Sequence, residues 1–165
     1  MTDRLQTMPP DPLPIVCCFI FDDRGRILLL QRHSDDLGGG LWAAPGGKQE
    51  PNEDPWQTAQ RETQEETGLA LEALELLGSH EMRMPHGVAH MTTFKACVRG
   101  ETIITINPEE HEAYHWFDLN SLLQESDIIW GLPTQLLDFG FLEPFATDPT
   151  LADGSEAILL ELTKP

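Results

Sequence analysis

Residues 45–69 read PGGKQEPNEDPWQTAQRETQEETGL, and this stretch decides the fold. Asp54 suits a helix cap, Pro55 a first helical position and Gly68 a left-handed stop. The spacing predicts a helix from Pro55 to Thr67. At about 100° per residue, Glu62, Glu65 and Glu66 fall within about a 100° arc of the helical wheel. Trp56, Ala59 and Thr63 cluster on the adjoining face, which is expected to pack on a sheet. Gln57, Gln60 and Gln64 take the far side, toward solvent.

Acidic residues on a helix ordinarily make a solvated face. Here the solvated middle is glutamine, and the glutamates border the packed stripe, where desolvation makes charge costly. Neighbours three or four positions apart are about 5–6 Å apart, so each like-charge pair costs on the order of 2–3 kcal/mol at an effective dielectric near 20. A divalent cation would neutralise such a cluster. All-oxygen ligands favour a hard ion, Mg²⁺ or Mn²⁺, over zinc. Arg61 adjoins Glu65 on the wheel and can orient a carboxylate. Ahead of the helix, Gly46-Gly47 admits backbone geometry closed to other residues and the close approach of a ligand or metal.

Outward from this segment, Pro14 to Phe21 reads as a buried strand, Asp22 to Gly25 as a turn and Arg26 to Gln31 as a second strand. Arg32 to Gly40 is a loop ending in three glycines, and Leu41 to Ala44 is short and extended. Beyond the helix, strand-like stretches cover Leu71–Arg83, Val88–Val98, Thr102–Ile106 and Tyr114–Phe117. Asn120–Gln124 and Pro133–Phe139 read as short helices. This order of strands, one central helix, more strands and then helices indicates an α/β fold, a mixed sheet with helices packed on it. Residues 1–13 read as a flexible arm, 14–143 as one domain and 144–165 as a C-terminal extension, in which Ala157 to Leu162 is either a strand or an amphipathic turn.

At 165 residues, with 40% hydrophobic and 23% charged residues, the chain fits one globular domain. The apolar run Ile15 to Phe21 is too short to cross a bilayer, and no secretory leader is evident near the start. Cys17, Cys18 and Cys97 have no metal-type spacing, and buried free thiols in a reducing cytoplasm are the expectation. The formal net charge of −18, from 28 acids and ten lysines plus arginines, excludes nucleic-acid polymers and anionic membranes as partners. A phosphate-bearing partner must be small or arrive with cations.

Gly47, five residues, Glu53, seven residues, Arg61-Glu62-Thr63, one residue, Glu65-Glu66, one residue, Gly68-Leu69 resembles the Nudix box of the Nudix hydrolases. Thr63 stands where that family usually has an aliphatic residue, a departure that bears on helix packing. Pro45-Gly46-Gly47 before the box and Glu110 to Leu122 after it extend the likeness at lower specificity. The resemblance implies an α/β/α sandwich with the box helix beside a mixed sheet. It also implies hydrolysis of a pyrophosphate bond in a small nucleoside diphosphate derivative, by Mg²⁺-activated attack of water on phosphorus. By position, Glu62, Glu65 and Glu66 are similar to the family's metal ligands, with the Gly46 carbonyl as a further one. Mg²⁺ is then the expected cofactor, with Mn²⁺ as an alternative. Glu53 resembles the residue that braces the loop, and Arg61 the arginine that holds a box glutamate.

The family often recruits another glutamate from a loop ahead of a late strand, as metal ligand or base. Glu110 occupies that place, six residues before Trp116, with Glu109 and Glu112 as rivals and an acidic surface loop as the plain alternative. Arg32, with Gly46 and Gly47, is a candidate for substrate contact, because a chain poor in basic residues needs one in its cleft. The alternative for Arg32 is an exposed strand end. His86 and His90 flank a candidate substrate strand, and Trp42 and Trp130 are candidates for stacking on a base, Trp42 the better placed. A (d)NTP is the expected substrate. An ADP-ribose-type substrate is the alternative, because Pro85 lies sixteen residues after Leu69, resembling a marker of ADP-ribose pyrophosphatases. A non-catalytic module that senses a nucleotide is the alternative of another class, although such modules typically lose box residues. Oligomeric state is open.

Overall fold

In the computed structural model, which describes residues 11–85 and 87–143, the centre is strand β1, Leu13–Phe21. Its six residues from Val16 to Phe21 are all buried, as a strand covered on both faces requires. Cys17, Phe19 and Phe21 enter one core, while Val16, Cys18 and Ile20 enter a second on the opposite face. A tight turn, in which Asp22 Oδ1 accepts from the Arg24 and Arg26 amides at 2.9 Å each, leads into β2, Ile27–Arg32.

The remaining elements are β3 (Trp42–Ala43), β4 (Gly46–Lys48), α1 (Pro55–Thr67), β5 (Glu75–Met84), β6 (Gly87–Cys97), β7 (His111–Phe117), α2 (Leu119–Leu122) and α3 (Leu132–Asp138). They complete a seven-stranded mixed sheet ordered β3-β2-β1-β6-β5, with β4 also on β1 and β7 also on β2. β1 and β6 run parallel, from Leu13 opposite Ala89 to Phe21 opposite Cys97. Helix α1 covers one face through Ala59, and α2 and α3 cover the other through Leu122, Leu132 and Leu136. This is the expected α/β/α sandwich.

Helix α1 has the expected bounds. Asp54 and Gln57 form a reciprocal capping box, and Gly68 closes the helix at φ 74° with its amide on the Gln64 carbonyl. Its packed face is Thr58, Ala59, Thr63, Glu66 and Thr67, so Ala59 and Thr63 lie as expected. Trp56 does not: it is an exposed residue, because a first-turn side chain leans back toward the helix start.

The stretch 102–106 is not a strand. Ile104 is buried and Ile103 is 85% exposed, so the alternation is real. However, the Thr105 amide donates to the Thr67 carbonyl at 2.9 Å, and the segment caps the end of α1 instead of joining the sheet. Similarly, β5 starts at Glu75 and not Leu71, whose carbonyl accepts from Gln60 Nε2 at 2.8 Å. Cys17 and Cys18 are buried free thiols, pushed by burial up to about 11 and about 12, whereas Cys97 is exposed. Among the described residues no helix is long and apolar enough to cross a membrane.

Candidate active site

Strand β4 pairs with β1 so that Gly46 lies opposite Cys17 and Gly47 opposite Val16. The Cys18 amide takes the Pro45 carbonyl and the Gln49 amide takes the Pro14 carbonyl, so the alternation of the ladder turns the Gly46 amide and carbonyl away from β1. The Gly46 amide donates to Glu66 Oε2 at 2.8 Å. A Cβ on Gly46 would overlap the Val16 carbonyl, and one on Gly47 would overlap the Glu62 carboxylate. Lack of room therefore requires glycine at position 46, where the clash is with backbone, whereas a side chain at position 47 would displace the Glu62 carboxylate. Neither residue has a positive φ, so special backbone geometry is not the reason for them.

Arg61 ties the loop to the helix. Its Nε and Nη2 grip Glu53 Oε1 and Oε2 at 2.6 and 2.9 Å, a bidentate pair, and Nη2 also donates to the Lys48 carbonyl at 3.1 Å. Its Nη1 reaches Glu62 Oε1 at 2.7 Å and Glu65 Oε2 at 3.3 Å. The Arg61 bonds hold Glu53 down to about 2, and Glu53 Oε2 also accepts from the Thr58 hydroxyl. Glu53 is thus a brace, set where its carboxylate fixes Arg61.

The open end of this frame is a cleft of about 740 Å³, which Arg32, Gly46, Gly47, Glu62, Glu66, Glu110 and His111 line. Glu66 is 4% exposed, and burial pushes its carboxyl up to about 8, reinforced by the charges of Glu62 and Glu110. Burial also raises Glu62, against the pull of Arg61. His111, 6% exposed, is driven down to about 4 by burial and then by the Arg32 charge. At neutral pH its ring is neutral, while Glu66 is partly protonated unless a cation intervenes. The site is therefore short of positive charge where its carboxylates converge.

Residues 11–136 match the model of the NUDIX domain family. The chain belongs to the NUDIX family. It is 31% identical over 109 residues to the CTP pyrophosphohydrolase of Escherichia coli, across 66% of this chain and 78% of that protein. It is 39% identical over 70 residues to the 8-oxo-dGTP diphosphatase of Proteus vulgaris, across 42% of this chain and 62% of the relative. The chain spans less than half the length of several further relatives it matches. Its fold resembles that of the MutT protein from Methanosarcina mazei, with a TM-score of 0.73 at 23% identity over 80% of this chain and 96% of that one.

Within this Nudix domain, Glu62, Glu66, Glu110, Arg32, Gly46 and Gly47 come together at one cleft, and Glu53 and Arg61 stand behind it. Glu65 is the outlier of the three box glutamates: its side chain is 55% exposed, and its described polar contact is Arg61. Of the loop acids, Glu110 faces the cleft with Oε1 on Asn107 Nδ2 at 2.9 Å. Glu112 instead accepts from the Ser34 amide, and Glu109 lies outside the cleft. Arg32 is fixed at the rim by Nε on the Leu37 carbonyl at 3.0 Å.

Trp42 does not face the cleft. It packs edge-on against Phe117 and His115 on the α2–α3 side. Trp130 packs beside Gly38, also away from the cleft, His90 is exposed outside it, and His86 lies outside the described residues. The apolar wall is instead aliphatic and thioether: Leu13, Ile15, Met84 and Val88. Sequence reading missed His111. The signal was its place directly after Glu110 at the start of β7, where strand pleating turns one side chain inward.

Proposed function

We propose that this domain is a divalent-cation-dependent nucleotide pyrophosphohydrolase acting on a (d)NTP. The observation that carries the proposal is the convergence of Glu62, Glu66 and Glu110 on one cleft, with Arg32 at its rim and an apolar wall beside it. Repulsion at this density, with Glu66 buried, is relieved by a cation. The donor set fits one: carboxylate oxygens, and the Gly46 carbonyl turned off β1. Glu62, Glu65, Glu66 and Gly46 would hold Mg²⁺ or Mn²⁺, which supplies neutralisation of phosphate oxygens and a more acidic water. The activity of the Escherichia coli relative on CTP supports a nucleoside triphosphate.

The chain's own residues supply orientation and proton transfer. Gly46 N–H fixes Glu66, and Arg61 fixes Glu62 against the Gly47 backbone, so both carboxylates are set before substrate arrives. A carboxylate of the cluster, Glu62 or Glu110, takes the proton from the attacking water. Arg32 binds the phosphate farther from the carboxylates, and Leu13, Ile15, Met84 and Val88 receive the base. Water attacks phosphorus as the bridging P–O bond breaks, and for a (d)NTP a nucleoside monophosphate and pyrophosphate leave.

A second reading takes ADP-ribose as substrate, because Pro85 sits in the β5–β6 turn between Met84 and the strand start Gly87, both of which line the cleft. One assay separates the readings. Substrate loss and product formation are followed by chromatography with Mg²⁺ over a panel of ribo- and deoxynucleoside triphosphates, oxidised dGTP and ADP-ribose. A pyrophosphohydrolase of (d)NTPs gives a nucleoside monophosphate from at least one triphosphate at a kcat/KM well above that for ADP-ribose. No turnover on any compound, with nucleotide still bound, would establish a non-catalytic module.

A further inference from the structure

The imidazole of His111 has no task in the chemistry above. It opens β7 opposite Arg32, at the point where the β2–β7 register shifts. Its Nδ1 is buried without a hydrogen-bond partner, and its Nε2 lies 3.8 Å from Glu66 Oε1, beyond hydrogen-bond reach. Beside the ring, with Arg32 across the ladder, two carboxylates converge: one donor atom each from Glu66, Glu110 and His111 lie within 4.8 Å of one another.

A cation at the meeting point would give a ligand bond to both carboxylates and to Nε2, which makes no hydrogen bond here, with the ring proton then carried on Nδ1. Ligand bonds near 2.1 Å place donor atoms roughly 3–4 Å apart around an ion, so donors now within 4.8 Å of one another need draw in by only about 1 Å. Glu66 suits a shared ligand, because Oε2 is committed to the Gly46 side and Oε1 faces His111. We propose that Glu66, Glu110 and His111 form a mixed nitrogen–oxygen site for a divalent transition-metal ion, with His111 Nε2 as its nitrogen ligand. This rests on the reading that the cleft binds a divalent cation, and adds a consequence that oxygen ligands alone do not give. Mg²⁺ holds to oxygen and water, whereas imidazole raises affinity for Mn²⁺ and later metals, so the site prefers Mn²⁺ to Mg²⁺.

The test uses the full chain without substrate and Mn²⁺ as the probe. Continuous-wave electron paramagnetic resonance counts bound Mn²⁺, and pulsed resonance reads hyperfine coupling to a directly ligated nitrogen. Wild-type protein is expected to show imidazole nitrogen coupling that changes when its histidines carry ¹⁵N. His111→Gln abolishes that coupling and weakens Mn²⁺ about tenfold or more, while Mg²⁺ affinity, read by competition, changes less than about threefold. His33→Gln, altering the histidine whose amide bonds the Glu110 carbonyl, leaves the coupling intact. Should His111→Gln not fold, wild-type coupling that survives His→Gln at each of positions 33, 80, 86, 90 and 115 assigns it to His111, and its loss in any one of them overturns the assignment. Bound Mn²⁺ without nitrogen coupling in the wild type overturns this inference and leaves the carboxylate site standing. Coupling that survives His111→Gln also overturns it. No Mn²⁺ binding at all defeats both readings.

Discussion

At the scale of single residues, Glu66 carries the largest electrostatic load. Its folded-state value of about 8 lies above its ordinary value of 4.5, so without metal its contribution to stability is fully present below about pH 4.5 and is lost as pH rises through about 8. His111, driven down from 6.5 to about 4, acts in the opposite sense, since stability rises between those values as the unfolded chain gives up its extra proton. The two effects oppose each other below pH 6.5, and Glu66 acts alone above it. With chelator present, urea denaturation should show stability falling between pH 6.5 and 8 by on the order of 1–2 kcal/mol. Glu66→Gln should flatten that window and, with metal, lower turnover by about 10² or more while the protein stays folded. An unchanged slope in the mutant would place the titration elsewhere. Arg32 poses the other residue-scale question. With Nε fixed on Leu37, its terminal nitrogens can serve a phosphate. Arg32→Ala should cost about 1.5–3 kcal/mol in kcat/KM, with Arg32→Lys recovering part, because lysine keeps the charge but loses the planar fork. Unaltered steady-state constants in the alanine form would make Arg32 a rim residue and nothing more.

Among the elements, α1 shows both what a sequence discloses and where it stops. Its ends were legible because Asp54, Pro55 and Gly68 act locally, and those contacts form as expected. Its carboxylate face was legible because a periodic arc needs no tertiary information. Trp56 and the stretch 102–106 were misread for the converse reason. Whether a first-turn tryptophan reaches the sheet, or an alternating segment finds a strand edge, depends on neighbours far along the chain. The same holds for His111, whose meaning comes from Glu66, 45 positions earlier, and from Arg32 across the ladder. Thr63 is a further element-scale case. It is fully buried where relatives of the box usually carry an aliphatic side chain, and its hydroxyl makes no hydrogen bond of acceptable geometry, although the Cys18 thiol lies beside it. Thr63→Val keeps the shape and removes the unpaired hydroxyl, so α1 should dock more firmly, by about 1 kcal/mol in chemical denaturation. A loss of stability instead would show that the contact with Cys18 outweighs the cost of burying the hydroxyl.

For the molecule as a whole, folding and cation binding are coupled, because the sandwich brings acids together that the unfolded chain keeps apart. The net charge of −18 already opposes compaction, and the cleft concentrates part of it. An ion that binds the folded chain alone stabilises it by about 2.7 kcal/mol at a hundredfold excess over its dissociation constant. For a domain of this size each kcal/mol moves the midpoint by about 2–4 °C, so saturating Mg²⁺ or Mn²⁺ should raise Tm by roughly 5–10 °C, and EDTA should reverse the gain and abolish activity. The rise should depend on pH in a defined direction. Below about pH 8 the ion must displace a proton from Glu66, so the increment should grow from pH 6 to pH 8 as the carboxylate is released. Ionic strength offers a control, since NaCl screens the general repulsion but cannot occupy a site built for a divalent ion. Scanning calorimetry at matched ionic strength separates the two. An equal rise in Tm from NaCl and from MgCl₂ would mean that the carboxylates stabilise nothing specific, and that the cleft is an acidic surface and not a metal centre.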